Sequence, residues 1–441
     1  MKKEILHIIL VLFGFASGKL SAQDKAWALQ ECIDYAITNN LEVQKTELDK
    51  KTTLLNYQQS KYDRLPGLSA NLSNNLANGS SIDPITSDFV SKSIYSNSIN
   101  LGSSLTLYSG NRANLQIQKN EILLAGNELA IEESKNNIKL SILEAYVQAL
   151  YYKESITIAE NTEASSQEEL QQAQGQYDNG AISRGDLAGL EAQYTANQHS
   201  VVLATNTYRQ QLLKLKQLLE LAPDVAFEIE APSVEGELNY DIPDKSDIYR
   251  QALNTLPDVR KYDVLQESSM KSLSLARAAY APTVSLSFGL GTGYTSSRDY
   301  NFTQQLDLNL SSAVGLTLSV PIFSKFANKT NESLVKIELE QNQLNKQQAG
   351  KNLYQSIETA WLNAVSNQSE RNSSRVKRDA AKLSYDLARK KYEFGGSTAT
   401  DLLLTQTNYV NAEQEYLQVK YMGLLYEQLL NYYQGKEISF E

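Results

Sequence analysis

Residues 176–186 read QYDNGAISRGD, and residues 391–401 read KYEFGGSTATD. Tyr177 matches Tyr392, Gly180 matches Gly395 and Asp186 matches Asp401, each pair 215 residues apart. A glycine shortly after a long Pro-free segment suits a helix end that needs positive φ. An acid six residues further on then sits in the first turn of a returning helix, where the helix dipole favours it by about 0.3–1 kcal/mol. Two helix–turn–helix units of one design are predicted, and a repeat of this kind predicts that the flanking sequence is duplicated as well.

It is. Asn39 and Leu41 of NNLEV match Asn254 and Leu256 of NTLPDV, and Tyr108-Ser109 match Phe323-Ser324. RLPGLSANL at 64–72 matches YAPTVSLSF at 280–288, with Pro66 and Pro282 one residue out of step. Each half therefore reads helix, strand, loop, strand, long helix, turn, helix.

The strands are read from period-two alternation. Leu68, Ala70, Leu72 and Leu76 alternate with Ser69, Asn71, Ser73 and Asn75, and Ile99, Leu101, Leu105 and Leu107 follow the same rule within 98–107. In the second half, 283–292 carries Val284, Leu286, Phe288 and Leu290, and 306–320 carries Leu306, Leu308, Leu310, Val314, Leu316, Leu318 and Val320. Strands of this length fit a tilted bilayer crossing, which takes about 9–11 residues. Their polar side is Ser, Asn, Thr and Gly, which suits a wet lumen better than a packed core. The loops at 78–97 and 295–305 are polar, as exposed loops are.

The segment from Asn111 to Gln174 has no Pro, and as one helix it would reach roughly 95 Å. Leu115, Ile122, Leu129, Asn136, Leu143 and Leu150 form one heptad column; Leu124, Ile131, Ile138, Ala145, Tyr152 and Ala159 form another. An offset of two residues puts the columns about 200° apart. A two-stranded coiled coil has one seam; two opposed seams need a neighbour on each side. Glu128, Glu132, Glu133, Lys135 and Lys139 still require water. The partner helix runs from near Ser183 to Leu221. The second half mirrors this over 326–393, with weaker seams, and over 398–434.

The remaining composition excludes more than it proposes. The opening MKKEILHIILVLFGFASGKLSA has the charged start, apolar run and small-residue end of a secretory signal. The chain carries formal charge −10, and about −12 once 1–22 with Lys2, Lys3, Lys19 and Glu4 is set aside. No basic run supports nucleic-acid binding. Cys32 is the only cysteine and His199 the only histidine beyond the leader. That leaves no material for a zinc site and little for a nucleophile–base pair. No phosphate-cradling glycine motif opens a helix, since GLGTG at 289–293 lies inside an alternating strand. No catalytic residue, metal ligand or cofactor is expected, and an enzyme is not the reading.

The duplicated plan, LTLYSGNR and LSVPIFSKF at the strand-to-helix passages, and the two Tyr-x-x-Gly…Asp phrases together resemble the TolC-like outer-membrane efflux proteins. The resemblance covers essentially all of the mature chain. It implies a homotrimer in the outer membrane of a Gram-negative bacterium. Each protomer would give four strands to one twelve-stranded β-barrel, continued by a periplasmic α-helical barrel. Four strands alone cannot close a barrel, and an open edge cannot face lipid. The resemblance places the hairpin turns at the closed periplasmic end. Tyr177, Gly180, Tyr392, Gly395 and Gly396 would form the tips where a periplasmic adaptor (membrane fusion) protein docks. Asp186 and Asp401 would be gate acids. A second acid found in some members falls at Leu404, and a latching basic residue falls at Ser397; Arg184 is a candidate for latching at the other tip. An inner-membrane pump, of RND or ABC type, would drive multidrug efflux or type I secretion.

The expected division is a signal at 1–22, periplasmic helices at 23–66, a first β-hairpin at 67–108 and a first helical hairpin at 109–221. A connector at 222–246 leads to helices at 247–281, a second β-hairpin at 282–323 and a second helical hairpin at 324–441. The competing reading is a non-conducting periplasmic coiled-coil spacer whose strands sit in water.

Overall fold

The computed structural model describes residues 26–82, 85–91, 93–232 and 241–440. The expected signal segment and part of the connector, 233–240, lie outside the described residues. The first half runs α1 (Leu29–Asn39), α2 (Leu41–Tyr62), β1 (Gly67–Ala77), β2 (Ser80–Ile82), β3 (Phe89–Ser91), β4 (Ile94–Tyr108), α3 (Arg112–Asp178) and α4 (Arg184–Leu218). The second runs α5 (Lys245–Thr255), α6 (Pro257–Ala278), β5 (Thr283–Thr295), α7 (Phe302–Leu308), β6 (Ser311–Ser319), α8 (Ala327–Glu393) and α9 (Ala399–Tyr433).

Matching helices have equal lengths. α1 and α5 have 11 residues, α2 and α6 have 22, α3 and α8 have 67, and α4 and α9 have 35. At about 1.5 Å per residue the two longest each extend for roughly 100 Å. The starts of α3 and α8 and of α4 and α9 lie 215 residues apart, but those of α1 and α5 and of α2 and α6 lie 216 apart. The expected match of Asn39 with Asn254 and of Leu41 with Leu256 is therefore corrected by one residue: Leu41 answers Pro257. The break between the first two helices is made differently in each half. Asn40 accepts from the Glu42 amide at 2.9 Å, an Asx start for α2. Pro257 opens α6 at a position where a missing N–H costs nothing.

The chain divides into two compact units. One contains 45–133 and 253–353 and holds the sheet, with strand order β1-β4-β5-β6, all neighbours antiparallel. Register places Leu72 beside Ile99 and Thr292, and Ala70 beside Leu101 and Leu290, so one face is mainly apolar across the strands. Leu286 meets Leu316 on that face. A bulge between Thr106 and Tyr108 sets Tyr108 opposite Val284, which turns the tyrosine onto the apolar face. The outer edges of β1 and β6 have no partner strand among the described residues.

Two expectations for this unit change. The strand read over 306–320 begins only at Ser311, and Phe302–Leu308 is the helix α7. Asn301 accepts from the Gln304 amide at 2.8 Å, and the Gln304 side chain accepts from the Asn301 amide at 3.3 Å. This capping box starts a helix that the alternating leucines conceal. The segment 78–97, read as a loop, contains the β2–β3 hairpin and the start of β4 at Ile94.

The other unit contains 134–252 and 354–440 with the residues up to Gln44. Ile142, Leu143, Ala145, Tyr146, Val147, Ala149 and Leu150 of α3 are buried there, so both heptad columns are covered along this stretch. The Tyr146 hydroxyl lies 2.8 Å from the Trp27 carbonyl and 2.7 Å from that of Glu230, and Trp27 bridges Ile229 in parallel. These contacts hold the described start of the connector against the helices. Cys32 is fully buried on α1, and burial pushes its thiol up to about 12, so it is a packing residue.

Candidate functional site

The site is the pair of turns named by the repeated phrases, and it is built from backbone outward. In the first turn the Ala181 amide donates to Gln176 O at 2.8 Å and the Gly180 amide to Tyr177 O at 2.8 Å. In the second, Gly396 donates to Lys391 O at 2.7 Å and Gly395 to Tyr392 O at 3.0 Å. Both are Schellman ends, closed by glycines at φ 73°. A Cβ on Gly180 or Gly395 would meet nothing within 4 Å. The requirement for glycine is thus conformational alone. Gly395→Ala is expected to cost about 1–2 kcal/mol through the left-handed backbone, measured as a drop in thermal midpoint of the folded chain, with helix content retained.

The returning helices start in two ways. At α4, Ser183 accepts from the Asp186 amide at 3.1 Å, and the Asp186 carboxylate accepts from the Ser183 amide at 3.2 Å and hydroxyl at 2.8 Å. Asp186 is consumed by a closed capping box. At α9, Thr398 accepts from the Asp401 amide at 3.1 Å, and nothing among the described residues engages the Asp401 carboxylate. Asp401 and Leu404 are both exposed, and a spacing of three puts them on one face of α9. Matching positions therefore differ in bonding: the Asp186 carboxylate is engaged by its cap, and the Asp401 carboxylate is not.

The two tyrosines diverge as well. Tyr392 is 3% exposed, whereas Tyr177 is 37% exposed. Tyr392 joins Ala173, Leu187, Leu190, Tyr385, Ala399 and Leu402 in a core contributed by α3, α4, α8 and α9. That core packs the two hairpins on each other. Burial, then the charges of Asp186 and Glu169, raise the Tyr392 phenol. Arg184 stays within its own hairpin, 3.3 Å from Glu191 and over the Tyr177 ring at 5.9 Å. In the protomer it therefore makes no link between hairpins.

The link is made by residues outside the repeated phrases. Glu169 of α3 is 2% exposed and accepts from the Tyr385 hydroxyl of α8 at 2.6 Å and from Gln406 Nε2 of α9 at 3.3 Å. Burial raises its carboxyl above the ordinary range, against the lowering effect of the Tyr385 bond and of Arg389. Beside it, Arg389 meets Glu168 at 2.7 Å, and Tyr385 stacks on Tyr409 at 5.8 Å. Further along, Lys420 and Tyr421 of α9 reach Glu154 of α3 at 3.0 and 2.6 Å. Among the described residues no group of side chains could hold a metal.

The sheet presents the second functional surface. Its apolar face is open: Leu68, Leu72, Leu107, Val314, Leu316 and Leu318 are all exposed. No described helix is long and apolar enough to cross a membrane. A lipid-facing sheet is what these leucines fit, with Tyr108, Tyr280 and Phe323 at one end and Tyr95 and Tyr294 at the other. Such aromatic girdles mark membrane–water boundaries. Strands placed in water, as the spacer reading requires, would leave this face unexplained.

Residues 32–220 and 248–430 match the outer membrane efflux protein family, and the chain belongs to it. It is 20% identical to outer membrane protein TolC of Escherichia coli K12 over 431 residues, covering 95% of this chain and 84% of that one. The outer membrane protein VceC of Vibrio cholerae superposes with a TM-score of 0.78 at 15% identity, covering 93% of this chain and 96% of that one. The CmeC outer membrane channel of Campylobacter jejuni superposes with a TM-score of 0.79 at 17% identity, covering 94% and 87%. The family places the chain in the outer membrane, extending into the periplasm.

Proposed function

We propose that three copies of the chain close a twelve-stranded barrel and form a passive export channel. Each protomer adds β1–β4–β5–β6, and the free edges β1 and β6 pair between neighbours. Substrate is delivered by an inner-membrane pump, of RND or ABC type, through a periplasmic adaptor that docks at the turns around Tyr177, Gly180, Tyr392, Gly395 and Gly396. The channel needs no cofactor of its own. The observation that carries this reading is the sheet, with one apolar exposed face, one face of Ser, Asn, Thr and Gly, and two open edges. In lipid an open edge leaves backbone groups unpaired at several kcal/mol each, so closure by further copies is required.

Asp401 is the gate acid in this reading. Three free carboxylates in a narrow opening favour cations. A monovalent ion passing at roughly 5 Å gains about 0.8 kcal/mol per carboxylate even at the dielectric of water. Asp401→Asn removes all three carboxylates and, after screening by salt, is therefore expected to lower cation-over-anion preference by at least on the order of tenfold, and Asp186→Asn to leave it nearly unchanged while destabilising the start of α4. Planar-bilayer conductance and reversal potentials of the purified protein test both. Equal selectivity in the wild type and the Asp401 variant would remove Asp401 from the gate. Absence of any conductance from a folded, lipid-inserted trimer would remove the channel.

A further inference from the structure

The short helix α7 lies where no part of the export reading requires a helix. It packs on β5 at its far end, and the contacts fix the face. Thr292 donates its hydroxyl to the Leu306 carbonyl at 2.6 Å, and the rings of Tyr294 and Phe302 lie 5.4 Å apart. Thr292 and Tyr294 alternate with Gly291 and Gly293, so they share a face with Leu286, Phe288 and Leu290. The β4–β5 register is unbroken from Thr295 to Ser285, so no bulge reverses this. α7 therefore sits on the outward, apolar side of the sheet and away from the face of small polar residues.

The helix is tied down rather than loosely draped. Gln305 is fully buried; it accepts from the Thr295 amide at 2.9 Å and donates to the carbonyls of Thr295 and Tyr300, each at 2.9 Å. Asn309 donates to Gly293 O at 2.6 Å. These bonds satisfy backbone groups of β5 beyond the point where its pairing with β6 stops, at Gly291. What remains uncovered on this segment is apolar: Tyr300, Phe302, Leu308 and Leu310 are exposed, Leu308 to 61%. This surface continues the exposed leucines of the strands, and it begins where the face changes from Leu286, Phe288 and Leu290 to Thr292 and Tyr294. Arg298, Asp299 and Asp307 flank it.

We propose that α7 is an interfacial helix, seated on the outer rim of the barrel, with Tyr300, Phe302, Leu308 and Leu310 resting in the headgroup–acyl boundary of the outer leaflet. An apolar surface below a polar, charged flank is the pattern of helices that lie about 5–10 Å into that boundary. The occupant is a lipid surface because the patch is continuous with the lipid-facing strands. The inference rests on the barrel reading and is tested so that the two can fail separately.

In a Cys32→Ala background, Leu308→Cys, Leu310→Cys and Leu316→Cys are each labelled with an environment-sensitive fluorophore and reconstituted in phosphatidylcholine vesicles. The vesicles carry nitroxides either near the headgroup or near the chain end. The labels at 308 and 310 are expected to lose fluorescence to the shallow nitroxide more than to the deep one, while the label at 316 responds to the deep one. Labels at 308 and 310 quenched only by aqueous iodide, with 316 still lipid-quenched, overturn the inference and leave the barrel standing. Absence of lipid quenching at 316 overturns both.

Discussion

Leu316→Arg is expected to abolish insertion, whereas Thr317→Arg, one residue along the same strand, is expected to permit it. Both side chains are exposed on β6, so exposure alone does not distinguish them. The pleat does. Leu316 pairs with Leu286 on the apolar face, and Thr317 pairs with Ser285 on the polar one. An arginine facing lipid near the middle of a barrel strand costs about 2–4 kcal/mol. In a trimer the cost is incurred three times, giving roughly 6–12 kcal/mol. An arginine facing a wet lumen keeps its hydration. Heat-resistant trimer on unboiled gels and recovery in the outer-membrane fraction read this directly. Most of each helical hairpin, from Ser134 and from Tyr354 onward, lies in the compact unit that does not hold the sheet, so most of the helix content by circular dichroism is expected to persist in the failed variant. Equal behaviour of the two arginines would contradict the assignment of faces.

The second large effect is expected at Glu169. Tyr385→Phe removes the 2.6 Å hydroxyl donor and leaves a carboxylate that is almost fully buried between the hairpins. Losing a charge-assisted bond at such a site costs about 2–3 kcal/mol. Glu169→Gln keeps the volume and an acceptor for Tyr385, so it is expected to cost far less or nothing. The pH dependence separates the variants further. Burial raises the Glu169 carboxyl in the folded state, so the folded state binds the proton more tightly than the unfolded one. Stability is then greatest below the unfolded carboxyl's range and declines as pH rises through the raised value. Acidification should therefore tighten this junction, and the slope should vanish in Glu169→Gln. Hydrogen exchange of amides in 385–406, followed against pH, measures it. A wild-type junction that loosens on acidification would contradict the role given to this carboxyl.

Much of this was legible in the residues, for reasons that can be named. A long helix with opposed seams, four alternating strands and two glycine-closed turns each depend on local periodicity, and local periodicity survives in sequence. Equal element lengths in the halves made each copy a check on the other. The misreadings have equally definite causes. Leu306, Leu308 and Leu310 alternate as a strand would, and only the Asn301–Gln304 pair signalled that a helix starts there. Glu169 stands beside Glu168 in the same run of acids; their pattern does not reveal that one is buried among Tyr385 and Gln406 while the other faces Arg389 in the open. Tyr177 and Tyr392 look interchangeable within their phrases, but burial depends on what the opposite hairpin presents. The same holds for Asp186 and Asp401: the difference arises because the Asp186 carboxylate turns back onto Ser183, and a matching cap residue at Thr398 draws no such answer from Asp401.

The equal helix lengths also restrict how this chain can change over generations. A single residue inserted into α3 would rotate everything beyond it by about 100° and throw both seams off their neighbours. Seven-residue insertions would spare the seams, but the two halves would then differ in reach unless α8 gained the same. The one-residue difference between the halves sits in the strand region, between offsets of 216 and 215. The single-residue change in offset lies between α2 and α3, where loops and the β4 bulge can absorb it, whereas a change inside a long helix would be propagated along it. Sequences descended from the same ancestor should therefore vary in length around 78–93, 296–310 and 219–244, and change their hairpins only in matched multiples of seven.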